Sequence, residues 1–165
     1  SVSLDGANAA TVQISGDAND QITNIENVIG TSGDDTLTGD SEDNRLAGEA
    51  GNDTLVGGAG NDTLDGGADT DSVSYASATA GITADLSTGV VGDDGFGDLD
   101  TLIDIENLTG SEHADTVLAG ASTQQIDTAG GDDYITLGLT AVDVDGGLGS
   151  DTVDYSELSA SNAIN

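Results

Sequence analysis

The sequence contains no cysteine, proline, methionine or tryptophan, and it has almost no positive charge. Without cysteine, neither a disulfide framework nor a thiolate metal site can form. Arg45 is the one Lys/Arg residue, so the chain offers no basic surface to nucleic acid or to an anionic membrane. No run of about 18 apolar residues is present, so we expect no membrane insertion.

Acid and glycine are present in excess. The 165 residues include 32 Asp and Glu, of which 26 are aspartate, and the formal net charge is −31. Such a charge with only 2% aromatic residues predicts disorder in water, because little apolar surface is available to offset chain entropy. Aspartate combined with 25 glycines is, however, typical of tight turns and of sites for hard cations.

The aspartates recur with a nine-residue period. Five consecutive units fill residues 30–74, and five more fill residues 110–154. The eighth position of every unit is Leu, Val or Ile, and the sixth is mostly Asp. Repeats at a fixed spacing indicate a solenoid.

The two blocks also correspond to each other position by position. Leu37 corresponds to Val117 and Tyr75 to Tyr155, and the Ile-Glu-Asn motif at 25–27 recurs at 105–107 with the same separation. We call this correspondence the long repeat. It indicates that the chain consists of two copies of one larger module.

A unit with one apolar residue in nine cannot form a helix face, but it can form a very short strand. Two units would close one coil, and successive coils would add in parallel. The inward side chains, worth roughly 1.5–3 kcal/mol each when buried, fall short of the cost of ordering the chain. The remaining stability must therefore come from the turns.

Stacked turns bring carboxylates close together, which opposes folding unless a cation lies between them. Calcium takes six to eight oxygen ligands in flexible geometry and suits such turns better than magnesium. Zinc would require histidine or cysteine, and the chain has only His113, which we expect to be exposed. The alternative is a metal-free Asx-turn, which would leave the negative charge without a counterion.

Two units, 57–65 and 146–154, match the pattern G-G-x-G-x-D-x-U-x at every position. With them the chain resembles the RTX (repeats-in-toxin, hemolysin-type) calcium-binding proteins over ten units, or about 90 residues. The resemblance implies an all-β fold, a right-handed parallel β-roll or β-solenoid, that binds several Ca²⁺ ions. It also implies secretion by a Gram-negative bacterium, often by the one-step type I route, and folding on contact with extracellular calcium.

The resemblance assigns side-chain ligands to the sixth position and backbone carbonyl ligands to the fourth-position glycines. The expected metal residues are Asp35, Asp53, Asp71, Asp115, Asp133, Asp151, Asp62, Asn44, Gly33, Gly51, Gly60 and Gly149. Because turns on one side lie two units apart, we expect the first six to form one continuous edge. The opposite edge would be broken and would consist of Asn44, Asp62, Gln124 and Val142, with Glu26 and Glu106 as caps.

The expected organisation is a partial connector with N-terminal coils at 1–29, a first RTX block at 30–74, a connector at 75–109, a second block at 110–154 and the start of a further connector at 155–165. Short strands are expected within the middle connector at 82–86 and 99–103. Aspartates of this connector such as Asp93, Asp94, Asp98 and Asp100 are interpreted as part of a solvated acidic loop. Tyr75 and Tyr155 are expected to pack at block ends.

Residues 1–6 resemble the middle of the connector, so the chain looks like two modules of a continuing register. It is then either an excerpt of a longer repetitive chain or a subunit that stacks head to tail. Neither end has an evident cap, which a solenoid normally needs, and head-to-tail contacts of this kind form open filaments.

The leading functional hypothesis is an extracellular calcium-binding structural protein that folds on Ca²⁺ binding. It would act as a stiff rod in a filament, adhesin stalk, surface layer (S-layer) or biofilm matrix, with itself or further module copies as partner. The alternative is a C-terminal carrier module of a type I-secreted enzyme or toxin. A weaker third hypothesis is glycan or ice binding by outward threonines, whose row is interrupted. We expect no catalysis, because no nucleophile–base pair can be assembled.

Overall fold

The computed structural model describes residues 25–138 and 140–156, together with the backbone of residues 2–3, 10–12 and 20–22. These residues form two nine-stranded β-sheets, which we call sheet A and sheet B. Most strands have three residues, because each repeat leaves only its seventh to ninth positions outside the turn. No helix in this described part is long and apolar enough to cross a membrane.

The first three strands form an antiparallel meander in sheet A. They are β1 (Val2–Ser3), β2 (Ala10–Val12) and β3 (Asp20–Ile22). β1 pairs with β2, and β2 pairs with β3. On its other side β1 pairs in parallel with the first strand that the first block contributes to sheet A.

The next six strands alternate between the two sheets. They are β4 (Asn27–Ile29), β5 (Thr36–Thr38), β6 (Arg45–Ala50), β7 (Thr54–Val56), β8 (Thr63–Ala68) and β9 (Ser72–Ser74). Strands β5, β7 and β9 lie in sheet A, whereas β4, β6 and β8 lie in sheet B. All pair in parallel with a step of two units, for example Leu37 with Leu55, as two units per coil require.

The middle connector adds strands to one sheet only. It contributes β10 (Thr83–Asp85), β11 (Val90–Asp93) and β12 (Asp100–Ile103), which form an antiparallel meander in sheet B. β12 pairs in parallel with β8. Both predicted connector strands are therefore confirmed, and β11 is an additional strand between them.

The second block supplies the last six strands. They are β13 (Asn107–Thr109), β14 (Thr116–Leu118), β15 (Gln125–Asp127), β16 (Tyr134–Thr136), β17 (Asp143–Asp145) and β18 (Thr152–Asp154). β13 pairs directly with β9 in sheet A, whereas β14 pairs with β10 in sheet B. The expected all-β parallel β-solenoid is confirmed.

Eighth-position side chains form the core. In sheet A each such residue lies in register with the next one along the stack, and Leu37, Leu55, Val73, Leu108 and Ile126 are all buried. Sheet B repeats this arrangement with Leu46 and Leu64 in its first half and Val117 and Ile135 in its second half. One inward apolar residue per short strand thus produces a continuous but thin interior.

The expectation that the two blocks share one aspartate edge is wrong. The strands after Asp35, Asp53 and Asp71 lie in sheet A, but those after Asp115, Asp133 and Asp151 lie in sheet B. The connector causes this exchange, because β13 takes the next place in sheet A and moves β14 to sheet B. The sheet A edge therefore carries its aspartates in the first half of the solenoid, whereas the sheet B edge has Asp62 in the first half and Asp115, Asp133 and Asp151 in the second.

The long repeat extends to the meanders. Shifted by the interval that relates Leu37 to Val117, strands β1, β2 and β3 fall on β10, β11 and β12, and both sets are antiparallel meanders. The first set lies in sheet A and the second in sheet B. The described N-terminal strands thus repeat the meander of the connector, and each copy of the long repeat exchanges the two sheets.

Candidate metal centre

The sixth-position side chains form two hydrogen-bonded columns, one beside each sheet. In each column a carboxylate accepts a bond from the backbone N–H of the sixth-position residue one coil earlier. In sheet A, Asp53 Oδ1 accepts from Asp35 (2.7 Å), Asp71 Oδ1 from Asp53 (2.8 Å) and Glu106 Oε2 from Asp71 (3.0 Å). Each carboxylate is therefore held between two successive turns.

The column beside sheet B follows the same rule in both blocks. Asp62 Oδ1 accepts from the Asn44 N–H at 2.7 Å, and Asp133 Oδ1 accepts from the Asp115 N–H at 2.8 Å. Asp151 Oδ1 accepts from the Asp133 N–H at 3.2 Å. One oxygen of each aspartate is thus used to join coils, which leaves the second oxygen to be accounted for.

In three turns a backbone N–H of the same unit donates a hydrogen bond to one side-chain oxygen of the sixth-position residue. We call these turns closed. The N–H of the second position in the unit donates to the sixth-position side chain. The pairs are Thr31 to Asp35 Oδ2 (2.7 Å), Asp40 to Asn44 Oδ1 (2.8 Å) and Ser111 to Asp115 Oδ2 (2.8 Å). The closed turns, 30–35, 39–44 and 110–115, therefore supply a partner for this oxygen without a cation.

In four other turns, which we call open, the second carboxylate oxygen has no partner. The Oδ2 atoms of Asp53, Asp62, Asp71 and Asp133 are buried and accept no hydrogen bond. Leaving a buried polar group unpaired costs about 1–3 kcal/mol, and more when the group is charged. A cation next to these oxygens would remove that cost, so the open turns, 48–53, 57–62, 66–71 and 128–133, fit a metal site.

Backbone conformation at the second position separates open from closed turns. That residue has positive φ in every open turn: Glu49 (83°), Gly58 (106°), Gly67 (101°) and Ala129 (58°). The Ala129 N–H then turns away from Asp133 and donates to Asp127 Oδ1 at 3.0 Å. The turn that contains Asp151 has the same geometry at Gly147 (71°), but Asp151 is exposed.

The first-position glycines show where the free oxygens point. A Cβ on Gly48 would lie 2.1 Å from Asp53 Oδ2 and 2.7 Å from the carbonyl oxygen of Gly66, one coil later. On Gly66 it would lie 2.6 Å from Asp71 Oδ2 and 2.3 Å from the carbonyl oxygen of Asp104. A side-chain oxygen and a carbonyl from the next coil thus converge over a glycine, which is the mixed ligand chemistry that calcium uses.

The predicted fourth-position glycines do not form a uniform set. Gly51, Gly60 and Gly149 have positive φ, between 103° and 140°, and a Cβ on any of them would contact the preceding coil. Gly33 has no positive φ, and a Cβ there would meet nothing within 4 Å. Calcium ligation by the carbonyls of these four residues stays a prediction.

Burial disfavours the charged form of the stacked aspartates. It raises the pKa of Asp62 to about 7, with nearby carboxylates adding to the shift. Burial also raises the pKa of Asp53, Asp71 and Asp115 above the usual range of a carboxyl group. The one Lys/Arg side chain, Arg45, lies 3.5 Å from Asp65 at the surface, so it does not neutralise the columns.

The connector supplies two buried acids that sequence reasoning missed. Asp94 and Asp100 are buried, so the interpretation of both as part of a solvated loop is wrong. Asp100 Oδ1 accepts from the Asp62 N–H at 2.9 Å and thereby continues the sheet B column. Its Oδ2 accepts from the buried Tyr75 hydroxyl at 2.9 Å, whereas Asp94 Oδ2 has no partner. The sequence did contain a signal for Asp100, because Asp100-Thr101-Leu102 repeats the triplet Asp62-Thr63-Leu64 of the first block.

Other predictions have mixed outcomes. Tyr75 is buried at the end of the first block as expected, but Tyr155 is 42% exposed, so its predicted packing is wrong. His113 is exposed as expected. Among the residues described, no three acidic or histidine side chains come together as a metal-binding group. A cation in an open turn would therefore take most of its ligands from backbone carbonyls.

The family model for the RTX calcium-binding nonapeptide repeat (4 copies) matches residues 22–55, 38–73 and 109–141. These matches cover residues 22–73 (52 residues) and 109–141 (33 residues), or 85 of 165. The chain belongs to this RTX calcium-binding family. The matched ranges of the RTX chain contain all four open turns and all three closed turns.

Two further comparisons add little to this assignment. A comparison with curated protein sequences finds no match to the RTX chain. Among solved structures, the extracellular lipase LipA from Serratia marcescens is similar, with 17% sequence identity and a TM-score of 0.41. The similarity covers 79% of the RTX chain and 27% of the lipase, so the chain spans about a quarter of that protein's length.

Proposed function

We propose that this RTX chain is an extracellular structural module whose fold is completed by calcium. In this proposal Ca²⁺ binds in the open turns, next to the free oxygens of Asp53, Asp62, Asp71 and Asp133 and the carbonyls of the neighbouring coil. The bound ions join successive coils and stiffen the solenoid into a rod. Such a rod suits a filament, an adhesin stalk, a surface layer or a biofilm matrix.

One observation carries the proposal: buried carboxylate oxygens recur without partners at matching places in successive coils. Asp53 and Asp71 are consecutive members of the sheet A column, and both have such an oxygen. An Asx-turn without metal accounts for the closed turns, where the same oxygen has a local donor. It does not account for the open turns, because a buried and unpaired carboxylate opposes folding.

Folding should then depend on calcium. The chain carries a formal net charge of −31, and most strands contribute a single side chain to its apolar core. A ligand that binds only the folded state increases the free energy of unfolding by its binding free energy. At the low calcium concentration of a cytosol the chain would stay unfolded, and at millimolar calcium outside the cell it would fold. A requirement for millimolar calcium fits a secreted or cell-surface location. The RTX resemblance implies the same location, in a Gram-negative bacterium.

A titration tests the proposal. The chain, dialysed free of metal at pH 7.5, is followed by far-UV circular dichroism while CaCl₂ is added, with MgCl₂ added to a parallel sample. We expect a β-sheet spectrum at millimolar Ca²⁺ and little change at equal Mg²⁺, which prefers stricter octahedral geometry. An unchanged β-sheet spectrum in excess EDTA would overturn the proposal.

A further inference from the structure

The connector holds a buried carboxylate that lies outside the nonapeptide repeats. Asp94 directly follows β11, is fully buried, and falls between the ranges that the RTX family model matches. Its equivalent in the long repeat is Ile14, so the first copy of the module has no acid at this position. Neither repeat therefore accounts for an aspartate here.

One oxygen of the Asp94 carboxylate is fully used, and the other is free. Oδ1 accepts hydrogen bonds from the backbone N–H groups of Phe96 (2.9 Å), Gly97 (3.0 Å) and Asp98 (2.9 Å). These three bonds fix the side chain in a tight turn at 94–98. Oδ2 is buried and accepts no hydrogen bond. An unpaired charged atom in such a place opposes folding more than a neutral one does.

The turn at 94–98 leads directly into a segment that stacks on an open turn of the first block. Three hydrogen bonds, between 2.9 and 3.2 Å, join residues 98–100 to residues 60–62. Asp62, which belongs to the open turn 57–62, has a free and buried Oδ2 of its own. Two buried carboxylates with free oxygens thus belong to adjoining turns.

The surroundings of Asp94 are strongly negative. Burial raises the pKa of Asp62 to about 7 and that of Asp100 to about 6, and the Asp94 carboxylate adds to both shifts. Burial also raises the pKa of the Tyr75 hydroxyl, with Asp100 and then Asp94 contributing. Asp94 is therefore close enough to act on three other buried groups, all of which would be stabilised by a nearby positive charge.

No side chain of the protein supplies that charge. Arg45 is the one Lys/Arg residue of the sequence, and it lies 3.5 Å from Asp65 at the surface. His113 is the one histidine, and it is exposed in a closed turn of the second block. A counterion for the Asp94 carboxylate must therefore come from solution.

We propose that a further Ca²⁺ ion binds at Asp94 Oδ2, where the connector stacks on the open turn 57–62. The ion neutralises the connector acid and joins the connector to the first block. The site is separate from the nonapeptide turns, because its carboxylate comes from outside them. The proposal rests on the proposed function, since the same ion must first fold the repeats.

The chemistry of the site favours calcium over other divalent cations. No three acidic side chains converge in the part of the chain that the structure describes, so the remaining ligands would be backbone carbonyls and water. Calcium accepts such mixed oxygen ligands in flexible geometry, whereas magnesium requires a near-ideal octahedron. Zinc would require histidine or cysteine, and the connector has neither.

Asp94→Asn and Asp93→Asn test the site with the same chemical change at adjacent positions. Asparagine keeps an oxygen for the N–H groups of residues 96–98, and Asp93 is exposed. Bound calcium per chain is measured at pH 7.5 by equilibrium dialysis and elemental analysis, with far-UV circular dichroism to monitor folding. We expect Asp94→Asn to bind one ion fewer than the parent chain, and Asp93→Asn to bind the same number. A folded Asp94→Asn chain with an unchanged number overturns the site, because a proton rather than calcium would then neutralise Asp94.

Crystals of the parent chain grown in excess calcium give a test that does not depend on the folding of a variant. We expect an anomalous scattering peak within about 2.6 Å of Asp94 Oδ2, in addition to peaks at the open turns. Peaks at the open turns without one at Asp94 overturn this site alone. An ordered chain without any metal peak overturns the proposed function together with the site.

Discussion

At the scale of single residues, identical aspartates have different chemistry because of the residue four positions earlier. Thr31 donates its backbone N–H to Asp35 and closes that turn, whereas Glu49 adopts positive φ and leaves Asp53 Oδ2 without a donor. The repeat pattern predicts both aspartates as equal ligands. In the structure Asp35 Oδ2 accepts a hydrogen bond, whereas the buried Asp53 Oδ2 has no partner and would need a cation.

Asp53→Asn and Asp35→Asn test this difference with the same chemical change. We expect Asp53→Asn to raise the calcium concentration at the folding midpoint about tenfold, because a charged ligand interaction of about 1.5 kcal/mol is lost. Asp35→Asn should have little effect, because Asn44 already occupies the same position in a closed turn. Circular dichroism titrations measure both midpoints, and equal shifts would contradict the distinction between open and closed turns.

The buried aspartates also predict an unusual pH dependence without metal. Burial raises the pKa of Asp62 to about 7 and that of Asp100 to about 6. An unfolded aspartate titrates near about 3.9, so between these values the folded chain binds more protons than the unfolded chain. The metal-free fold therefore loses stability as pH rises through the window from about 4 to about 7.

We accordingly expect the metal-free chain to gain β-sheet signal when the pH is lowered from 7.5 to 4.5. With calcium the trend reverses, since protons compete for the carboxylates, and the calcium midpoint should increase as the pH falls. Circular dichroism at a series of pH values measures both effects. A metal-free chain that is equally unfolded at pH 4.5 and pH 7.5 would contradict the assignment.

At the scale of elements, the tight turns depend on particular glycines. Gly60 has a φ of 103°, and a Cβ there would lie 2.8 Å from the Glu42 backbone of the previous coil. Gly60→Ala should lower the free energy of unfolding by about 2 kcal/mol, because the conformation is strained for other residues. Gly33→Ala is the matched control, since Gly33 is the same repeat position with open space around it.

Thermal unfolding of both glycine variants in saturating calcium measures the difference. The Gly33→Ala chain should unfold within a few degrees of the parent chain. A similar loss of stability in the two variants would show that turn geometry does not distinguish them.

The connector meander is a second element with a specific prediction. Asp100→Ala would leave the buried Tyr75 hydroxyl and the Asp62 N–H without acceptors, at a cost of about 2–4 kcal/mol. Asp93→Ala is the control, because Asp93 is exposed and accepts one local bond from Gly95. Chemical denaturation in calcium should show a clear loss for Asp100→Ala only. Equal losses of stability in the two variants would contradict a structural role for the Asp100 carboxylate.

Sequence reasoning predicted the repeating strands and their apolar stack, because Leu37 and Leu55 follow directly from the nine-residue period. It placed Asp35 and Asp115 on one edge, which is wrong, because the length of a connector does not determine how many strands it adds to each sheet. It also missed the buried Asp94, since an acidic residue in a glycine-rich loop has no periodic neighbour to indicate burial.

At the scale of the whole molecule, the RTX chain combines a thin core with a formal net charge of −31. The coils contact mainly their neighbours, as in other repeat proteins, so stability accumulates from one inter-coil contact to the next. Four open turns contribute buried oxygens without partners to these contacts. Calcium bound in those turns would both neutralise charge and join coils, and this is the central claim.

The most direct test is the anomalous scattering map of crystals grown in excess calcium. The claim predicts metal peaks beside the Oδ2 atoms of Asp53, Asp62, Asp71 and Asp133, within about 2.6 Å of each oxygen. The closed turns at Asp35 and Asn44 should show weaker peaks or none. An ordered solenoid in which these four oxygens have no metal neighbour would contradict it.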